Sequence, residues 1–129
     1  MTPLEGVRVL DLGTRIAAPF CAGLLGEQGA EVIKIEQPGT GDFMREIGPF
    51  VDTGEGPHSL FWAVEGRGRK SVTLDLRDER GQDVFRRLAA TADVVVSANC
   101  LATCLQRPDE RRLLWIGGRR LTRRQGGLA

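Results

Sequence analysis

Residues 7–36 read VRVLDLGTRIAAPFCAGLLGEQGAEVIKIE, and this stretch decides the fold. VRVLDL and EVIKIE are short runs rich in β-branched and aliphatic residues, the composition of strands covered on both faces. Between them, GTRIAAP is a turn of small residues, and FCAGLLGE continues with an apolar pattern at Phe20, Leu24 and Leu25. Pro19 suits the first turn of a helix, where its missing N–H costs nothing. Gly26 and Gly29 supply the permissive backbone of a helix stop. The reading is strand (7–12), turn (13–18), helix (19–27), strand (31–36). Such a βαβ unit is the building block of a parallel, doubly wound sheet, which receives ligands beyond the carboxyl ends of its strands. That places the expected ligand edge at the turn 13–18.

Working outward, residues 37–57 form a long loop with five Gly and three Pro. A loop of this length within a compact domain is commonly functional or disordered. Residues 58–64 are apolar enough for a short helical turn, and 65–70 are polar and basic. SVTLDL at 71–76 alternates and reads as a third strand. Asp78 is placed to cap a helix carrying Val84, Phe85, Leu88 and Ala89 on one face. ADVVV at 92–96 reads as a fourth strand. The order predicts an α/β fold with a mostly parallel, Rossmann-like sheet.

The 129 residues carry a formal net charge of +1, which excludes a nucleic-acid binder driven by bulk charge. The charge is unevenly spread: residues 1–96 have a net of −4 and residues 97–129 a net of +5. We therefore expect two segments, a folded part at 1–96 and an irregular, divergent Arg-rich tail at 97–129, with Arg doublets at 111–112, 119–120 and 123–124. Three cysteines without framework spacing point to a reduced, cytoplasmic chain. Cys100 and Cys104 have no further ligand nearby for a zinc site, and no metal is expected. Neither a secretion signal nor a membrane-length apolar run is visible.

Residue chemistry alone leaves several readings open. After the first strand only Gly13 of a G-x-G-x-x-G turn is in place, so a nicotinamide fingerprint is missing. Asp11 reads as a buried or loop-bonding carboxylate. Asp42 and Arg45 read either as a local pair pinning the loop or as a turn receiving an anionic group. Arg67, Arg69 and Lys70 suit either a phosphate or a solvated turn. His58 has no partner acid or nucleophile in its neighbourhood, and Cys21 reads as core.

Taken in series, the motifs of residues 4–96 resemble the family III CoA-transferases, the CaiB/BaiF group. LEGVRVLDLGTRIAAPFCAGLLGEQGAEVIKIEQPGTGDFMR is similar to that family's opening, with its A-G-P-like turn and GA-x-VIK-[IV]-E-x-P-x-x-GD-x-x-R pattern. RGRKSVTLDLRDERG is similar to its N-K-[RK]-S-[IV]-x-LDL segment, and ATADVVV to its ADV-[VL]-[VI] strand. The resemblance implies movement of coenzyme A from an acyl-CoA to a carboxylate, through attack of an aspartate on the thioester and mixed-anhydride and enzyme–CoA intermediates. It also implies CoA-contacting positions. Ile16 and Ala17 fall on the turn that meets CoA, Gln37 on a position for adenine or phosphate contact, and Arg45 on the loop Arg. Leu74, Asp75, Leu76 and Arg77 fall at the strand end beside the nucleotide. Ala18 stands where the family favours Gly. The family's E-N-F/Y-R-P-G continuation is replaced by Ser97-Ala98-Asn99-Cys100, and the aspartate nucleophile belongs to a later segment without a counterpart in the match. No catalytic residue is therefore assigned. The expectation is a truncated or frameshifted transferase, inactive alone, whose family homodimer would not form properly. The alternatives are a fragment of a related α-methylacyl-CoA racemase-like enzyme, and a non-catalytic module that binds CoA or a partner chain.

Overall fold

The computed structural model describes residues 1–97 and 114–116. Strands β1 (Arg8–Asp11), β2 (Glu31–Glu36), β3 (Phe50–Asp52), β4 (Pro57–Ser59), β5 (Lys70–Thr73), β6 (Val94–Val96) and β7 (Leu114–Ile116) alternate with helices α1 (Ala17–Glu27), α2 (Leu60–Glu65) and α3 (Glu79–Ala89). Five strands form a parallel sheet in the order β5-β2-β1-β6-β7; β3 and β4 make a separate antiparallel hairpin. The chain runs outward from β1 through β2 to β5, then returns to the other side of β1 at β6. This reversal is the topological switch of a doubly wound sheet, with its crevice at the carboxyl ends of β1 and β6.

The strand period of two divides the core. Leu10, Ile33, Ile35 and Val95 face α3 and pack with Phe85, Ala89 and Ala92. Val9, Val32 and Val96 face α1 and pack with Ala18, Ala22 and Ala30. The expected Asp78 cap is present: its Oδ1 accepts from Arg80 N at 2.8 Å. Val84, expected on the same face as Phe85, is instead exposed.

Boundaries differ from the sequence reading for local reasons. The helix starts at Ala17, two residues before Pro19, so the turn that leads into it is only residues 12–16. β5 stops at Thr73 although the alternation continues to Leu76. Leu74 N still donates to Glu36 O at 3.0 Å, but Asp75 then closes a side-chain turn on Arg77 N at 3.0 Å. The loop 37–57 is built rather than open: Asp42 caps a 3-10 turn at Phe43–Glu46, and the β3–β4 hairpin follows. The Phe20/Leu24 stripe of α1 points outward, because the close approach of α1 to the sheet is filled by Ala18, Ala22 and Gly23. β7, parallel to β6, lies in the segment read as irregular tail. The Arg doublets at 111–112, 119–120 and 123–124 and the Cys100/Cys104 pair lie outside the described residues.

Candidate functional site

The carboxyl edge of the sheet gathers most positions singled out in the sequence. β1 leads through Leu12 and Gly13 to Ile16, the N-cap of α1, and Ala17, its first residue; both are exposed. Gln37 directly follows β2, and Leu74 is tied to Glu36 at the end of that strand. Leu74, Asp75 and Leu76 are half-buried and Arg77 is exposed. The Arg77 guanidinium pairs with Asp75 at 3.1 Å, and this contact holds the Asp75 carboxyl below its usual range. No side chain caps α1, and its first turn carries no acidic residue. Amide N–H groups at such a helix start favour an anion. Arg15 adopts a left-handed backbone, φ 67°, and its guanidinium lies 5.2 Å from the centre of the Phe43 ring. A non-glycine residue in that region is uncommon and marks a constrained turn.

Arg45 is not paired with Asp42. Its guanidinium makes two bonds to the Glu36 carboxylate, at 2.8 and 2.9 Å, and lies 3.9 Å from the centre of the Trp62 ring. Ser71 and Asp42 N also donate to Glu36, at 2.6 and 2.8 Å. These donors, Arg45 first, hold the Glu36 carboxyl at about 2 against 4.5 ordinarily. A depressed carboxylate contributes stability that is complete above the unfolded value and lost as pH falls from 4.5 toward 2. Glu36→Gln should cost about 2 kcal/mol at pH 7, an amount reduced because Arg45 is half-exposed, and almost nothing near pH 2. Urea unfolding of both proteins at the two pH values measures this; an equal cost at both would disprove it.

Beneath the turn lies a cluster the sequence reading passed over. Register sets Asp11 beside Lys34, and the period of two puts both on the α1 face with Val9 and Val32. Lys34 is 1% exposed and Asp11 0%. The Lys34 ammonium lies 2.8 Å from Asp42 and 3.5 Å from Asp11, and donates to the Gly13 carbonyl. Asp11 also receives Gly13 N at 2.8 Å and Arg69 at 2.5 Å, and Arg69 donates to the Pro19 carbonyl. Burial pushes the Asp11 carboxyl up, against the pull of Lys34, the Gly13 N–H and Arg69. Of the two expectations for Asp11, buried or loop-bonding, both hold. Of Arg67, Arg69 and Lys70, Arg69 is buried against Asp11, whereas Arg67 and Lys70 form solvent-exposed pairs with Glu27 and Glu31, as in a solvated turn. The signal for this cluster was available in EVIKIE, since a lysine inside a strand covered on both faces must find a buried anion. Cys21 is half-buried against the α1-side core, and His58 is exposed on β4. No metal-holding group of three or more His, Cys, Asp or Glu occurs among the described residues, and no described helix is long and apolar enough to cross a membrane.

Strand order, switch point and glycine turn define a doubly wound α/β protein with a built carboxyl edge. Within that class, the chain belongs to CoA-transferase family III, whose family model matches residues 4–107. Over 94 residues it is 47% identical to the succinyl-CoA–L-malate CoA-transferase alpha subunit of Chloroflexus aurantiacus, a match covering 73% of this chain and 22% of that protein. It is 46% identical over 97 residues to the succinyl-CoA:glutarate CoA-transferase of Mus musculus, covering 74% and 21%. Among solved structures it is similar to a CaiB/BaiF family protein from Brucella suis, with a TM-score of 0.75 and 35% identity over 88% of this chain and 32% of that one. A protein from Mycobacterium tuberculosis gives 0.74 and 37%, covering 89% and 33%. The chain spans about a fifth of the length of these curated relatives and about a third of the solved chains.

Proposed function

We propose that this chain forms the coenzyme-side part of an acyl-CoA:carboxylate CoA-transferase and that, as an isolated 129-residue polypeptide, it holds CoA without transferring it. The observation that carries this reading is the convergence of Ile16, Ala17, Gln37 and Leu74–Arg77 on one carboxyl edge, beside an uncapped helix start. Ile16, Ala17 and the α1 amides would meet the anionic part of the substrate, and Gln37 and Arg77 would flank its nucleotide. Arg45 would support the edge from behind, since its guanidinium is already committed to Glu36 and Trp62.

The inactivity follows from what the reaction requires. A carboxylate must reach the thioester carbonyl, take the acyl group as a mixed anhydride and release the CoA thiolate. Asp11, Glu36, Asp42, Asp75 and Asp78, described carboxylates at this edge, are each held by a cation. The first three are also buried, and Asp11, which lies directly under the turn, is saturated by Gly13, Lys34 and Arg69. Burial closes those three to a substrate, and Asp75, at the surface, is engaged by Arg77. The racemase-like alternative would require its proton-transfer pair outside the described residues as well. The RGRKS segment favours the transferase. Calorimetry with CoA tests the binding: saturable heat is expected, and none at millimolar CoA rejects the reading. Measurable acyl-CoA:carboxylate turnover by the pure chain rejects the inactivity.

A further inference from the structure

The turn between β1 and α1 is held at its ends by backbone bonds, Leu12 N to Val96 O and Phe20 N to Ile16 O, and at Gly13 by side chains. Both polar groups of the Gly13 residue are engaged: its N–H by Asp11 at 2.8 Å, its carbonyl by Lys34. The Pro19 carbonyl, in the first turn of α1, is engaged by Arg69. These side chains start from β1, from β2 and from the residue preceding β5, and Asp42 closes the set by pairing with Lys34 at 2.8 Å. Two cations and two anions are thus buried together, with side-chain exposures of 0–2%.

Burying such ions costs several kcal/mol each before pairing, and apolar residues of similar volume commonly serve stability as well or better. Stability alone therefore gives a weak reason for this quartet. What it does that apolar residues cannot is fix the direction of the Gly13 amide and carbonyl, midway between the last ladder bond of β1 (Leu12 N to Val96 O, 2.9 Å) and the first helix bond of α1 (Phe20 N to Ile16 O, 2.8 Å), and of the Pro19 carbonyl in the first helical turn. We propose that Lys34, with Asp11, Asp42 and Arg69, is a positioning residue that sets the turn 12–16 and the start of α1 for binding the anionic part of CoA. This rests on the CoA reading above.

The single variant Lys34→Met leaves Asp42 buried without its cation and is expected to unfold, so it does not decide the matter. Lys34→Met combined with Asp42→Asn removes one charge of each sign, leaves the Asp11–Arg69 pair, and keeps an oxygen to accept from Met44 N. The double variant should retain a cooperative fold. Hydrogen exchange followed by mass spectrometry should show the segment 12–20 exchanging at least about tenfold faster than in the parent chain, the scale of one lost charged hydrogen bond, with segments 32–36 and 94–96 unchanged. Calorimetry should show CoA bound about tenfold more weakly. Unchanged exchange at 12–20, an equal rise in every segment, or unchanged CoA affinity overturns the proposal. If the parent chain takes up no CoA, the functional reading fails together with the CoA part of this proposal. Exchange at 12–20 still decides whether the quartet holds the turn.

Discussion

Gly13→Ala is expected to abolish measurable CoA binding while costing about 2–3 kcal/mol of stability, the upper part of the usual range for overpacked sites. A Cβ at this position would collide with the Ala18 Cβ, sit 2.6 Å from the Pro19 Cδ and 3.0 Å from the Asp11 carboxylate. None of these neighbours yields easily. Ala18 and Pro19 are buried in the first turn of α1, and Asp11 is fixed by Lys34 and Arg69. Relief requires either lifting the start of α1 off the sheet or displacing Asp11 from the Gly13 amide. Both moves disturb the helix start proposed to face the ligand. Gly39→Ala is the appropriate control: it lies in the neighbouring loop, and nothing falls within 4 Å of its added Cβ. Its φ of 82° predicts a stability cost of about 1 kcal/mol from backbone strain, with CoA affinity retained. Urea unfolding and calorimetry on the two variants separate the outcomes. Parent-like CoA affinity in Gly13→Ala would show that the tightness of this turn is irrelevant to the ligand.

Local patterns in the chain reach only as far as single elements and their immediate neighbours. The βαβ unit was legible because VRVLDL and EVIKIE carry uninterrupted apolar character and are separated by residues with clear helix-start and helix-stop chemistry. The parallel sheet followed from the spacing of four such segments. Carboxyl-edge positions were legible from the resemblance together with the rule for open α/β sheets. What could not be read was pairing between charges far apart in the chain. Arg45 lies three residues from Asp42, which suggested a local pair, yet the turn capped by Asp42, whose N–H is itself bonded to Glu36, folds the loop back so that Arg45 makes both its bonds to Glu36. Arg69 is 58 residues from Asp11, and no local pattern signals such a partner. Face assignment on α1 failed for a different reason. The helix is apolar on nearly all sides, so periodicity does not say which stripe faces the sheet. Close approach is decided by residue size, and the small stripe wins.

That same helix leads to the second large expected effect: the isolated chain should associate at micromolar concentration rather than run as a sharp monomer. Phe20 and Leu24 on α1 are 46% and 44% exposed, and Leu60, Phe61 and Val64 on α2 are similarly open. α1 and α2 are in contact, so their outward residues belong to neighbouring surfaces. α1 carries no charged residue before Glu27, and α2 none before Glu65, so little polar surface interrupts the apolar area. Exposed large apolar residues clustered on two touching helices favour association. Phe20→Lys with Phe61→Glu should shift the sedimentation profile toward monomer, with the melting midpoint changed by no more than a few degrees, because neither side chain belongs to the buried clusters. The direction is set by solvation: each substitution replaces exposed apolar area with charge and removes no internal contact of the two cores. A parent chain that sediments as a single monomer and melts cooperatively would contradict the expectation. So would a double variant that associates as strongly as the parent, since the driving surface would then lie elsewhere than on α1 and α2.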